Sequence, residues 1–283
     1  MLQNISRPDR PQQLVQQAAR FHQHECSLLN NVHQLPRNIS VLTRMAEVPA
    51  LRKPLASLAA HADSLPHLPS AYPEFMPLPV RDSELIQIID AELARVTRIS
   101  GSWLACRPGC TQCCHGAFAI NALDAARLRT GMESLRQTNP ALAISIEARS
   151  QSWLAEYGPG FPGNLATGTL GTSESDQQAF EDFANDAPCP ALNAATGLCD
   201  IYDFRPMTCR VFGPPVRVEP DDIESEGSNN TALACCELCF IGAPEQTIAA
   251  CELYPPHALE SEILSELDPN AETAVAFALI QSR

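Results

Sequence analysis

The sequence predicts a mainly α, irregular fold, with short helices and long loops, and three observations lead there. Apolar residues recur at helical spacing in several separate segments. Twenty-four prolines and an aromatic content of only 6% interrupt those segments and leave a core in need of cross-linking. Seven of the twelve cysteines fall in two tight knots, Cys106-Arg-Pro-Gly-Cys110-Thr-Gln-Cys113-Cys114 and Cys235-Cys236-Glu-Leu-Cys239. With 283 residues, 45% of them apolar, the chain is long enough to bury a substantial core.

The elements follow in order. Residues 11–33 read as an amphipathic helix, with Pro11 in its first turn and Leu14, Ala18, Phe21, Leu28 and Val32 at helical spacing. Cys26 stands alone in it and reads as a packing residue. Seven prolines between 48 and 80 make an irregular connector, so a boundary is set near residue 80. Residues 1–80 are then an N-terminal helical extension and connector, and residues 81–283 the main domain. A second helix starts near Ser83, shows Leu85, Ile88, Ile89, Leu93 and Val96 on one face, and stops at Gly101. Asn121 and Asp124 have the spacing of a capping box for the next helix. Residues 141–155 supply another, with Leu142, Ile144, Ile146 and Trp153 for packing. Residues 157–176 read as an exposed loop, 214–230 as a mobile insertion, and Ala271 to Ile280 as a final helix. Gly158-Pro-Gly-Phe-Pro-Gly163 matches a phosphate-binding fingerprint in letters only, because two prolines remove N–H donors and no strand precedes it.

A formal charge of −14 repels phosphate backbones and anionic lipid, which argues against nucleic-acid and membrane-surface partners. A protein partner is left open. The first residues lack a secretory apolar region, and no stretch approaches the ~20 apolar residues of a membrane span. The expected location is therefore the cytoplasm, where structural disulfides are rare. Adjacent cysteines such as Cys113 and Cys114 are also too close in backbone for comfortable mutual pairing.

Crowded thiols in a reducing compartment point to a metal or an iron–sulfur centre. Two or three intervening residues let a tight turn aim two sulfurs at one ion. Pro108-Gly109 favours such a turn between Cys106 and Cys110. If a helix follows, Cys110, Cys113 and Cys114 share one face, and Cys106 closes over it. If the segment is extended, Cys113 and Cys114 point apart and serve separate centres. Further on, the turn at Gly197 delivers Cys199 from a short strand, Leu198–Tyr202. Asp203 and Pro206 suit the start of a brief helix containing Cys209.

Cys236 and Cys239 have a good chelating bite, Cys235 competes with its neighbour, and Cys251 reads as packing in a helix over 245–253. Arg205 and Arg210 either offset thiolate charge or pair with Asp200 and Asp203. His115 reads as a hydrogen-bonding or solvent-facing neighbour, and His22 and His24 as surface residues. Tyr202 is expected beside the cluster with its hydroxyl outward. No histidine spacing for zinc catalysis and no nucleophile elbow is present, so catalytic residues are unassigned.

The first knot, then Cys189-Pro190-Ala191-Leu192, then Cys199-Asp-Ile-Tyr202-Asp-Phe-Arg205-Pro206-Met-Thr-Cys209-Arg210, together resemble the YkgJ-type cysteine-cluster family over roughly residues 100–255. The resemblance implies zinc or an iron–sulfur cluster held by cysteines and brings Cys189 into the ligand set. Flagellin lysine N-methylases and iron–sulfur oxidoreductases are among the similar proteins. The extra cysteines here, Cys235, Cys236, Cys239 and Cys251, leave the number of centres open.

The expected ligands are Cys106, Cys110, Cys113, Cys114, Cys189, Cys199, Cys209, Cys236 and Cys239. The expected cofactor is an iron–sulfur cluster or Zn2+, since thiolate sites suit both. The function expected is that of a metal-binding protein, structural or electron-transferring. The alternatives are an iron–sulfur enzyme, oxidoreductase or protein-lysine methyltransferase, and a thiol redox sensor.

Overall fold

The computed structural model describes residues 77–218, 232–269 and 271–280. The helix expected over 11–33, Cys26, His22, His24 and most of the 48–80 connector lie outside the described residues. Eight α-helices and eight short strands occur among the described residues, so the mainly α, irregular expectation holds. In chain order the helices are α1 (Asp82–Ser100), α2 (Ala122–Thr138), α3 (Pro140–Tyr157), α4 (Glu174–Glu181), α5 (Met207–Val211), α6 (Glu245–Ala250), α7 (His257–Leu264) and α8 (Val275–Leu279). The strands are β1 (Ala119–Asn121), β2 (Gly163–Asn164), β3 (Thr169–Leu170), β4 (Leu192–Asn193), β5 (Leu198–Cys199), β6 (Val216–Val218), β7 (Ala232–Ala234) and β8 (Glu272–Ala274). They form four antiparallel pairs: β1–β8, β2–β3, β4–β5 and β6–β7. Among the described residues no helix is long and apolar enough to cross a membrane.

Helix α1 begins one residue before the expected cap. The Ser83 hydroxyl bonds the Val80 carbonyl at 3.2 Å rather than capping a backbone N–H. Its end falls at Gly101, whose φ of 53° an L side chain would resist. Leu85, Ile89 and Val96 are fully buried, but Ile88 is 41% exposed and off the packing face. At α2 the Asn121 side chain accepts from the Asp124 N–H at 2.9 Å, so half of the expected capping box exists. The Asp124 carboxylate does not reach back. It turns inward to Arg127 and to the Met207 N–H. In α3 Ile146 and Trp153 pack inward, whereas Ile144 is 65% exposed.

The 157–176 segment is not simply an exposed loop. It folds as the β2–β3 hairpin and places Phe161 and Leu170 in an aromatic cluster with Trp153, Phe180, Phe183 and Phe277. Phe161 and Phe277 meet at a tilt of 53° with ring centroids 4.7 Å apart. Likewise, residues 216–218 of the expected mobile insertion form β6, paired with β7. The expected final helix is β8 followed by α8, because Glu272–Ala274 take up pairing with β1 first. Helix α8 then lies in the core against α2 and α3.

Two further apolar clusters complete the core. One joins α1, α5, β6 and α7 through Leu85, Ile89, Met207, Val216 and Ile263. The other joins α2, α3 and α8 through Leu128, Met132, Ile146, Val275 and Leu279. Between them the buried Arg127 pairs with Asp82 at 2.6 Å and with Asp124. Such a buried pairing orders α1 on α2, and losing one member leaves the others desolvated without compensation.

Candidate metal centre

The first knot is built from two successive turns rather than a helix. The Cys110 N–H donates to the Arg107 carbonyl at 2.9 Å across Pro108-Gly109, and Gly109 takes φ 89°. The Cys114 N–H then donates to the Thr111 carbonyl at 2.8 Å, closing a 3₁₀ turn over Gln112–Cys114. The turn at Pro108-Gly109 is as expected, but the shared helical face of Cys110, Cys113 and Cys114 is not. Pro108 and Gly109 are poor helix formers, and three residues give only a 3₁₀ turn.

Backbone lacing carries the knot to the other sulfurs. The Cys114 carbonyl accepts from the Cys189 N–H at 2.8 Å, and the Gly116 N–H donates to Ala187 at 2.9 Å. The β4–β5 hairpin brings Cys199 back alongside. Its turn residue Gly197 lies so near the knot that an added Cβ would stand 3.3 Å from Gly109 Cα. Cys209 sits in α5, whose first N–H, that of Met207, donates to the Asp124 carboxylate at 2.8 Å. The expected strand 198–202 is shorter, and Tyr202–Phe204 forms a 3₁₀ turn ahead of α5. Thus α2 fixes the helix that holds Cys209.

The second knot docks against the first. The Phe240 N–H donates to the Trp103 carbonyl at 2.8 Å, and Gln112 donates to Glu237 at 2.8 Å. The Cys239 N–H closes a turn on the Cys236 carbonyl at 2.8 Å. The result places Cys239 Sγ 3.7 Å from Cys106 Sγ. Cys235 Sγ donates to the Gly213 carbonyl at 3.2 Å. Cys251 is buried in the α1 cluster, in agreement with the packing expectation. Cys110 lies at the turn, half-buried.

Electrostatics ties these sulfurs together. Hydrogen bonding to Cys236, then burial, then the charge of Cys239 push the Cys106 thiol far up. Cys114 is pushed up by its bond to Cys113, by burial, and by the charges of Cys113, Cys189 and Cys209. Burial raises Cys189 to about 12 and lifts Cys209 well above the ordinary thiol value, with neighbouring sulfurs adding to both. Burial also raises Cys235 to about 12 and lifts Cys199 and Cys239. Cys113 moves the other way, because the Cys114 thiol donates to it and Arg205 adds positive charge.

Arg205 thus offsets charge on Cys113 and Cys199 while its guanidinium lies 3.8 Å from the Tyr202 ring centroid. Arg210 does not face the sulfurs as a counter-charge. It bonds Asp90 at 2.8 Å and the Asp203 carbonyl, and Arg149 takes Asp200. His115 is exposed, with Nδ1 3.1 Å from the Thr111 carbonyl. The exposed Tyr202 ring serves as a platform for Arg205, which the bare order of residues in Tyr-x-x-Arg did not disclose.

Among the described residues no three His, Cys, Asp or Glu side chains already stand as a finished ion cage. The donor set nevertheless fits a soft cation. Burial first, and the charge of neighbouring sulfurs second, favour the protonated thiols, and a divalent ion offsets both effects. Asp124, Asp200 and Glu252 are directed to arginines instead.

Residues 105–239 match the sequence model of the CxxCxxCC family, described as a putative zinc- or iron-chelating domain. The matched range runs from just before Cys106 to Cys239, so it contains all nine cysteines expected as ligands and leaves Cys251 outside. No curated protein and no solved structure matches the chain.

Proposed function

We propose that this protein binds zinc or iron through clustered thiolates, with Cys106, Cys110, Cys113, Cys114, Cys189, Cys199, Cys209, Cys236 and Cys239 as the donor pool. The observation that carries this reading is convergence. Segments 133 positions apart bring Cys106 Sγ and Cys239 Sγ to 3.7 Å, and the Cys189 N–H bonds the Cys114 carbonyl at 2.8 Å. Packing alone gives no reason for this many sulfurs to meet where apolar side chains would fill space at lower cost. The match to a chelating domain supports the same reading, as does the resemblance of the Ile201-Tyr202…Arg205-Pro206…Cys209-Arg210 string to YkgJ-type proteins.

A bound ion would supply the positive charge that this thiol set lacks, and the chain's own contribution is to aim and desolvate the sulfurs. The role is foremost structural, because binding free energy becomes folding free energy where donors are distant in sequence. Anaerobic purification followed by elemental analysis, acid-labile sulfide assay and an optical spectrum tests it. Zinc without colour supports a thiolate zinc site. Iron with sulfide and absorption near ~400 nm supports a cluster. Protein that takes up neither, and whose thermal unfolding is unmoved by chelators, refutes the proposal.

A further inference from the structure

We infer that seven of the sulfurs are divided between two separate sites: one for a single ion at Cys106, Cys236 and Cys239, and a second at Cys114, Cys189, Cys199 and Cys209. The inference rests on the thiolate-binding reading above and deepens it. Cys113 is coupled to both groups, since it feels the charge of Cys236 and its own charge acts on Cys199.

The distance between Cys106 Sγ and Cys239 Sγ is the first argument. Metal–thiolate bonds of ~2.3 Å in a tetrahedron set sulfurs about 3.8 Å apart. The observed 3.7 Å is that edge. In a four-iron cluster each cysteine binds its own iron, and two cysteine sulfurs do not share so short an edge. The pair therefore suits ligation of one and the same metal atom. Cys236, which shares a hydrogen bond with Cys106, is the third donor at that place.

The floor of this first site is Gly213. A Cβ there would lie 2.7 Å from Cys106 Sγ, and its φ of 128° disfavours any L side chain. Its carbonyl accepts from the Cys236 N–H at 3.3 Å and from Cys235 Sγ at 3.2 Å. Bare backbone thus positions sulfurs from both knots.

The seats of the two groups are the second, independent argument. Cys236 and Cys239 are part of the apolar cluster of α1, α5 and α7. Cys189 and Cys199 pack against the other cluster, that of α2, α3 and α8. The pair Cys236 and Cys239 and the pair Cys189 and Cys199 are thus seated on different walls, while Cys209 stands on α5, a helix of the first wall.

The test uses the full chain, reduced and reconstituted anaerobically with Co2+, and counts metal by native mass spectrometry and by thiolate-to-cobalt absorption. Two ions per chain, released in two steps by a chelator, are expected. Cys239→Ser should remove one ion and keep the other, and Cys209→Ser should remove the complementary one. Gly213→Ala should weaken the first step at least tenfold and leave the second. Wild type that binds no metal overturns the thiolate reading itself. Wild type that binds one ion only, or loss of all metal from both the Cys239→Ser and the Gly213→Ala variants, overturns the division while leaving that reading intact. Retention of both ions in Cys239→Ser overturns it as well. If Cys209→Ser fails to fold, the stepwise release from wild type and from Gly213→Ala still decides.

Discussion

Gly131→Ala provides a test in which two physical effects have opposite sign. Gly131 lies inside α2, where alanine ordinarily gains about 1 kcal/mol over glycine through helix propensity. Here the new Cβ would stand 2.6 Å from Phe204 Cγ, 2.7 Å from its Cβ and 2.8 Å from its Cδ2. These are the root of the ring, so a change of χ2 does not clear them. The backbone of the Tyr202–Phe204 turn would have to move. Overpacking costs typically 1–3 kcal/mol, and contacts this short belong at the upper end. The expected net is a loss of about 2 kcal/mol. The displaced turn also carries Arg205 and leads into α5 with Cys209, so metal affinity should fall with stability. Urea unfolding of metal-loaded wild type and variant, together with zinc competition against a chromophoric chelator, measures both. A variant as stable as wild type, or more stable, would refute the packing of α2 on that turn.

Two other perturbations follow from the charges. Glu260 is buried beside Asp82, Asp124, Arg127 and Asn121, and burial followed by the Asp124 charge raises it to about 7 from an ordinary 4.5. Its neutral form costs nothing below the unfolded value. Ionisation in the fold is penalised progressively as pH rises from 4.5 to 7, by roughly 3 kcal/mol in all. Glu260→Gln should therefore match wild type near pH 4.5 and exceed it by about 3 kcal/mol at pH 8, measured by urea unfolding at matched pH. An unchanged difference across that range would count against the buried carboxyl cluster. Arg205→Gln should weaken zinc binding about tenfold, about 1.4 kcal/mol, because it removes the positive charge near Cys113 and Cys199. Chelator competition with unchanged affinity would mean that Arg205 serves only the Tyr202 contact.

Several of these features were legible in the residues alone. Apolar spacing placed α1 and α3, and the Asn121–Asp124 spacing marked the start of α2. The Pro108-Gly109 turn and the packing of Cys251 were also readable. What was not legible depended on distant partners. Asp124 was read as a local cap, but its carboxylate is drawn to Arg127 and Met207, 83 positions away in the second case. The 157–176 stretch looks like a loop by composition, yet Phe161 and Leu170 find aromatic partners contributed by α4 and α8. Ile88 and Ile144 fit a helical face but point to water, because periodicity marks a stripe without fixing its width. Gly213 carries no signal in sequence. Its importance comes only from the sulfur lying against it.

The pairing of β8 with β1, and the place of α8 at the heart of two clusters, have a consequence for biogenesis. Chains are made from the N-terminus, so the segment 119–121 waits through some 150 further residues for its partner at 272–274. Until those residues emerge, a nascent chain has its thiols translated but its inner walls unsealed. The arrival of α8 then completes the wall against which Cys189 and Cys199 pack.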